Sequence, residues 1–172
     1  VLLESLDSAL ARGAAVLAEI IGFATLSDTG NIAHPDPAVM ERCMRLALAD
    51  AGILPSQVDY INAHATGTSQ GDVAECAAIA RVFGGSVPVS SFKGHMGHAM
   101  AASGSMELIA ALELARENRL VPTLNLENID PACGAVFHPA AVQESTVSVF
   151  VKNSFALGGV NSTLVVRRYP YD

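Results

Sequence analysis

Between residues 57 and 92 the chain alternates strand, helix and strand, and this alternation limits the fold more than any other feature. "QVDYINAH" (57–64) sets the apolar side chains Val58, Tyr60 and Ile61 ahead of a polar tip at Asn62 and His64. "ATGTSQG" is a loop, and a helix is predicted from Asp72 to about Phe83, stopped by Gly84 and Gly85. "VPVSSF" (87–92) is a short strand. The flanks continue the pattern. "AVLAEIIGFATL" reads as a buried strand after a short amphipathic helix over 4–12 closed by Gly13, and "SDTGNIAHPDP" reads as a loop. Asp36 followed by Pro37 gives a capped helix start, and that helix ends at Gly52. Lys93 to His98 is a glycine-punctuated turn before a long helix of small residues, from about Ala99 to Glu117. "LVPTLNLENIDP" is extended, because Pro122 excludes helix. Two strands, "VSVFVKNSF" and "NSTLVVRR", are joined at "ALGGV". This order predicts an α/β domain with a mixed five-stranded sheet flanked by helices on both faces.

The chain of 172 residues suits one domain, taken as 1–168, with 169–172 ("YPYD") set aside as a tail resembling the start of an epitope tag. Half the residues are apolar and only 16% are charged, which allows a large core and excludes a disordered chain. A net charge of −7 argues against nucleic acid as a partner and against anionic membranes. No apolar run approaches the ~20 residues needed to span a bilayer. The chain opens inside an apolar run, "VLLESL", and an upstream segment is therefore expected. Cys43, Cys76 and Cys133 match no zinc or disulfide spacing and read as free thiols in a cytoplasmic protein.

Three polar clusters fall where strands end, which is where open α/β sheets place their sites. His64, Thr66 and Thr68 follow the first strand of the alternating unit; Lys93, His95 and His98 precede the long helix; Asn153 to Asn161 surround the Gly158–Gly159 turn. Each alone has a structural explanation: a strand-end histidine, a helix-capping loop, a hairpin. A zinc site from His64, His95 and His98 is disfavoured, because no acidic or cysteine ligand lies at suitable spacing and glycines at 94 and 97 indicate a turn. No metal is expected.

In fixed order, "NAHATGTSQGDVAE", "SFKGHMGHAMAASGSMELIAAL" and "NSFALGGVNSTLVV" resemble the three C-terminal motifs of the β-ketoacyl-acyl-carrier-protein synthases of fatty acid and polyketide synthesis. "VLLESLDSALARGA" and "TLNLENIDPACG" extend the resemblance over nearly the whole chain. The resemblance implies the C-terminal half of a thiolase-like fold. It also implies a decarboxylative Claisen condensation between an acyl-cysteine and malonyl carried on the phosphopantetheine arm of an acyl carrier protein, with no cofactor of the enzyme's own. His64 and His98 match the two catalytic histidines, Lys93 the family lysine, and Glu107 the acid that pairs with it. Thr66 and Thr68 match the threonines that bind the phosphopantetheine arm. Phe155 matches an aromatic near the acyl-cysteine, and the Leu157 N–H supplies half of the oxyanion hole.

The departures are specific. Ala65 stands where the family usually has glycine, and Leu157 where fatty-acid members often have a gating phenylalanine. His95 has no counterpart and is expected at the surface or behind the site. No cysteine can serve as nucleophile: Cys43 and Cys76 fall on predicted helices as packing residues, and Cys133 in a downstream loop. The implied partners are the N-terminal half that carries the cysteine, an acyl carrier protein, and a second subunit in a homodimer or pseudo-symmetric heterodimer. One half alone should expose the apolar face that packs on its twin. Arg42, Arg45 and Arg81 are candidate contacts for an acidic carrier protein. The alternative is a non-catalytic subunit of the chain-length-factor type, against which the presence of His64, His98 and Lys93 argues.

Overall fold

A computed structural model describes residues 1–28, 30, 35–156 and 158–170. The predicted loop over 27–37 therefore lies partly outside the described residues, as does Leu157. Helix α1 (Leu6–Ala11) starts at Ser5, whose hydroxyl accepts from the Ser8 N–H. Strand β1 (Ala18–Ser27) leads to α2 (Pro37–Ala51). Asp36 caps α2 through the Ala38 N–H, and Gly52 closes it in the left-handed region at φ +66°. Then come β2 (Tyr60–Asn62), α3 (Ser69–Phe83), β3 (Val89–Ser90), the single turn α4 (Lys93–Met96) and α5 (Ser103–Arg116). A small ribbon, β4 (Arg119–Leu120) and β5 (Gln143–Glu144), precedes the hairpin of β6 (Val149–Phe155) and β7 (Val160–Arg168).

Five strands form one mixed sheet in the order β1-β7-β6-β2-β3. β6, β2 and β3 run parallel, while β7 is antiparallel to both β6 and β1. Successive side chains along each strand point to opposite faces of the sheet, and two cores result. One lies between the sheet and α2 and α3, around Met44, Ile61, Ile79, Val151 and Val165. The other lies between the sheet and α5, around Tyr60, Leu108, Ala111, Phe150 and Val166.

Three expectations need correction. β1 is not a buried strand but an edge: Phe23 is 50% exposed, and its N–H is capped by the Asp50 carboxylate rather than by another strand. Apolar composition without strict alternation gave no signal of that one-sided exposure. α3 begins at Ser69, three residues earlier than predicted, because Thr68 is in extended geometry and Ser69 can start the helix. The 93–98 segment contains a helical turn rather than only a loop. Gly22 is required where α2 crosses β1, because a Cβ there collides with the Ala47 carbonyl and Ala51.

Met106 and Ile109 on α5 are exposed, as is Met100 just before it. Among the described residues no helix is long and apolar enough to cross a membrane.

Candidate active site

Parallel pairing of β6, β2 and β3 sets their carboxyl ends side by side. His64 follows β2 by two residues, Lys93 follows β3 by three, and Phe155 ends β6. The two histidines from separate motifs meet there edge to face, with ring centroids 5.5 Å apart and ring planes at 85°. They border a cleft of about 1060 Å³ whose walls include Thr66, Thr68, Ser154 and Phe155.

Local hydrogen bonds orient His98. Its Nδ1 accepts the Met100 N–H at 3.1 Å and lies 2.9 Å from the Ser103 hydroxyl. An Nδ1 that accepts a backbone N–H leaves the proton of the neutral ring on Nε2. The ring is exposed, so this N–H is available to a molecule in the cleft. His64 is half-buried, and its buried Nδ1 makes no hydrogen bond within the protein. Its pKa is pushed down to about 3, first by burial and then by the charges of Lys93 and Lys152 and by His98. His64 therefore remains uncharged at neutral pH.

A hydrogen-bonded base fixes the His64 backbone. The Glu75 carboxylate, on α3, accepts the His64 N–H at 2.9 Å and the Ala65 N–H at 2.8 Å. Asn153 Nδ2 donates to the same carboxylate at 3.1 Å, and Thr163 Oγ1 donates to Asn153 Oδ1 at 3.0 Å. Burial raises the Glu75 pKa, opposed by these donors. Ala65 sits at φ +22° with both its N–H and its carbonyl held, the latter by the Ser91 hydroxyl.

On the opposite face of β6 lies an ionic cluster. Lys93 Nζ is 2.6 Å from Glu107 Oε1, and Lys152 Nζ is 2.7 Å from Glu107 Oε2, with all three side chains nearly inaccessible. Lys93 and Glu107 thus pair across 14 residues, from α4 to α5. Glu75 and Lys152 escaped the sequence reading, which placed Asn153 only in the polar cluster at the end of its strand. A signal existed for each: Glu75 is a lone acid on the apolar stripe of α3, and Lys152 interrupts the apolar run "VSVFV".

Thr66 and Thr68 are exposed on the loop before α3, their hydroxyls 3.2 Å apart. Phe155 is buried against the cleft. His95 is exposed, its ring contacting Phe92 at 6.5 Å, and does not line the cleft. The buried Cys76 and Cys133 border a separate cavity of about 290 Å³ under α3, and burial raises both thiol pKa values. Cys43 lies in the core, its thiol pKa also raised by burial. Among the described residues, no cysteine lines the histidine cleft, and no three His, Cys, Asp or Glu residues are placed to hold a metal. Arg45 and Arg81 both pair with Glu41 at the surface, and Arg42 is exposed.

Two imidazole rings bordering one cleft can supply N–H donors to an oxygen on which negative charge develops. Comparison with known proteins bears on what that oxygen belongs to. Residues 17–127 match the family model for the C-terminal domain of β-ketoacyl synthases. The chain is 41% identical over 98% of its length to 3-oxoacyl-[acyl-carrier-protein] synthase 2 of Coxiella burnetii, of which it covers 42%. It superposes with a TM-score of 0.93 on a crystal structure of a β-ketoacyl synthase from Burkholderia phymatum, at 40% identity, covering 96% of this chain and 41% of that one. A type II polyketide ketosynthase, solved with its acyl-carrier protein and bound to a hexaketide, matches with a TM-score of 0.89 at 33% identity, over 95% of this chain and 41% of that one. The chain thus spans about two fifths of the length of the relatives it matches.

Proposed function

The chain belongs to the β-ketoacyl synthase family, as the C-terminal part of the thiolase-like fold, and from that premise we propose that it supplies the two histidines of a decarboxylative condensing enzyme. The observation that carries this reading is the meeting of His64 and His98 at the mouth of one cleft.

In this reading a cysteine on the N-terminal half carries the primer acyl group as a thioester. Malonyl enters on the phosphopantetheine arm of an acyl carrier protein, with Thr66 and Thr68 hydroxyls placed for the arm's amides. His64 and His98 donate N–H bonds to the malonyl thioester oxygen. The bond to the carboxylate breaks, carbon dioxide leaves, and its electron pair forms an enolate on that oxygen. The enolate carbon attacks the acyl-cysteine carbonyl and expels the thiolate, so one carbon–carbon bond forms as one carbon–sulfur bond breaks. An uncharged His64 suits this role, because it stabilises the enolate without protonating it. Phe155, buried against the cleft, is the residue we assign to the acyl chain, and the family resemblance assigns the N–H of Leu157, which is outside the described residues, to the acyl-enzyme oxyanion.

The test is His64→Ala in the complete synthase. Malonyl decarboxylation and condensation should fall about 100-fold or more, while acylation of the partner half's cysteine stays within a few fold. Undiminished condensation would sink the proposal.

A further inference from the structure

We propose that Lys152 is a positioning residue of this site, which shares Glu107 with Lys93 so that one surplus positive charge is held beneath the histidine pair. The inference rests on the functional reading above. Lys152 lies on β6 and is 2% exposed. Its Nζ meets three oxygen atoms: Glu107 Oε2 at 2.7 Å, the Asn153 carbonyl at 2.6 Å and Ser154 Oγ at 2.9 Å. Two hydrogen bonds and one ion pair thereby hold the ammonium in place. Ser154 itself lines the histidine cleft.

Charge counting makes this lysine unusual. Glu107 already has an ion partner in Lys93 at 2.6 Å. A second buried ammonium on the same carboxylate leaves two positive charges against one negative on this face of the sheet, with Glu75 on the other face as the remaining acid that acts on Lys152. Burying that surplus costs desolvation and is not required to satisfy Glu107. Burial lowers the Lys152 pKa, Glu107 and Glu75 oppose it, and Lys93 adds to it.

The surplus acts on His64. After burial, Lys93 and Lys152 are the next causes that keep its ring uncharged. Glu75 and Asp72 from α3 and Glu107 from α5 are the acids near the site, and Lys93, Lys152 and His98 are its basic groups. Removing Lys152 reduces the Lys93–Glu107–Lys152 cluster to a neutral pair and weakens the field that favours a developing oxyanion.

The test uses Lys152→Met and Lys152→Arg in the complete synthase, with histidine-labelled protein for NMR. In Lys152→Met the His64 titration should move upward toward the ordinary histidine range. The acidic limb of the kcat/KM profile should follow it, and kcat should fall about tenfold with KM within twofold. Lys152→Arg should restore most of both. Should the methionine variant not fold, Lys152→Gln retains an N–H donor on the side chain while removing the charge, and the same shifts are expected. A folded neutral variant whose His64 titration and acidic limb are unchanged overturns the inference, leaving Lys152 a packing residue. The NMR titration does not depend on turnover. A failed His64→Ala test of the functional reading is therefore distinguishable from failure here.

Discussion

Adjacent residues of one strand serve the same histidine by different physics. Asn153 faces α2 and α3 and joins a hydrogen-bonded chain, Thr163 to Asn153 to Glu75, that ends on the backbone of His64 and Ala65. Lys152 faces α5 and joins an ionic cluster with Glu107 and Lys93. The first fixes where the histidine sits. The second sets the field around its ring. Strand alternation separates the two by a single residue, so position and charge are supported from opposite sides of the sheet. The two supports should therefore fail differently.

The largest effect is expected on the ionic side. Glu107→Gln leaves two ammoniums in the interior with no carboxylate between them. Losing one partner of a buried ion cluster costs about 3–5 kcal/mol, to be read by urea denaturation of the complete protein. Adding Lys152→Met to that variant should recover at least half the loss, because one stranded charge is removed with it. A loss under about 1 kcal/mol would mean that water reaches these ions, and the contrast between the two faces would disappear.

The hydrogen-bonded side should break more gently. Glu75→Gln keeps the shape and one acceptor oxygen but supplies an N–H where the carboxylate met two backbone donors. The cost is about 1–3 kcal/mol. Its pH signature is more diagnostic. Burial raises the Glu75 pKa above the ordinary 4.5 of a glutamate, so the folded state holds this proton more tightly than the unfolded state. That contribution to stability is full below about pH 4.5 and is lost as pH rises through the folded pKa. His64 has the opposite sign. Its pKa falls from 6.5 to about 3, so its contribution is full above 6.5 and is lost as pH falls toward 3. The difference in stability between Glu75→Gln and wild type should change in favour of the variant as pH rises from 4.5. A difference that is flat with pH would mean that Glu75 titrates alike in both states.

Most of the sheet was legible in the sequence because its strands and helices alternate and their caps are explicit. Asp36–Pro37 and Gly52 bracket α2 at the residues expected. The pairing of Lys93 with Glu107 was read through family resemblance; helical spacing could not reveal it, since the two lie on different helices. Lys152 and Glu75 were missed for a related reason. Both are charged residues inside apolar runs, and only tertiary packing shows that each is buried against partners 45 or more residues away in one case and on another element in the other: Lys152 against Glu107 and Glu75 against Asn153. The edge exposure of β1 was likewise invisible, since strand order is set by the β6–β7 hairpin rather than by local composition.

The smallest expected effect tests how far the hydrogen-bonded side imposes its geometry. Ala65 holds φ +22°, where an L side chain is strained, and both its backbone groups are pinned, by Glu75 and by Ser91. Such conformations cost on the order of 1–3 kcal/mol. Glycine removes the strain but adds about 0.4–1 kcal/mol of unfolded-state entropy. Ala65→Gly should therefore stabilise the protein by about 1 kcal/mol, seen as a modest rise in Tm. In Glu75→Gln the pin on the Ala65 N–H is weakened, the alanine can relax, and the gain from glycine should shrink. An equal gain in both backgrounds would show that the backbone turn, rather than the carboxylate, holds Ala65 in place, and that Glu75 follows the geometry of the His64 loop instead of setting it.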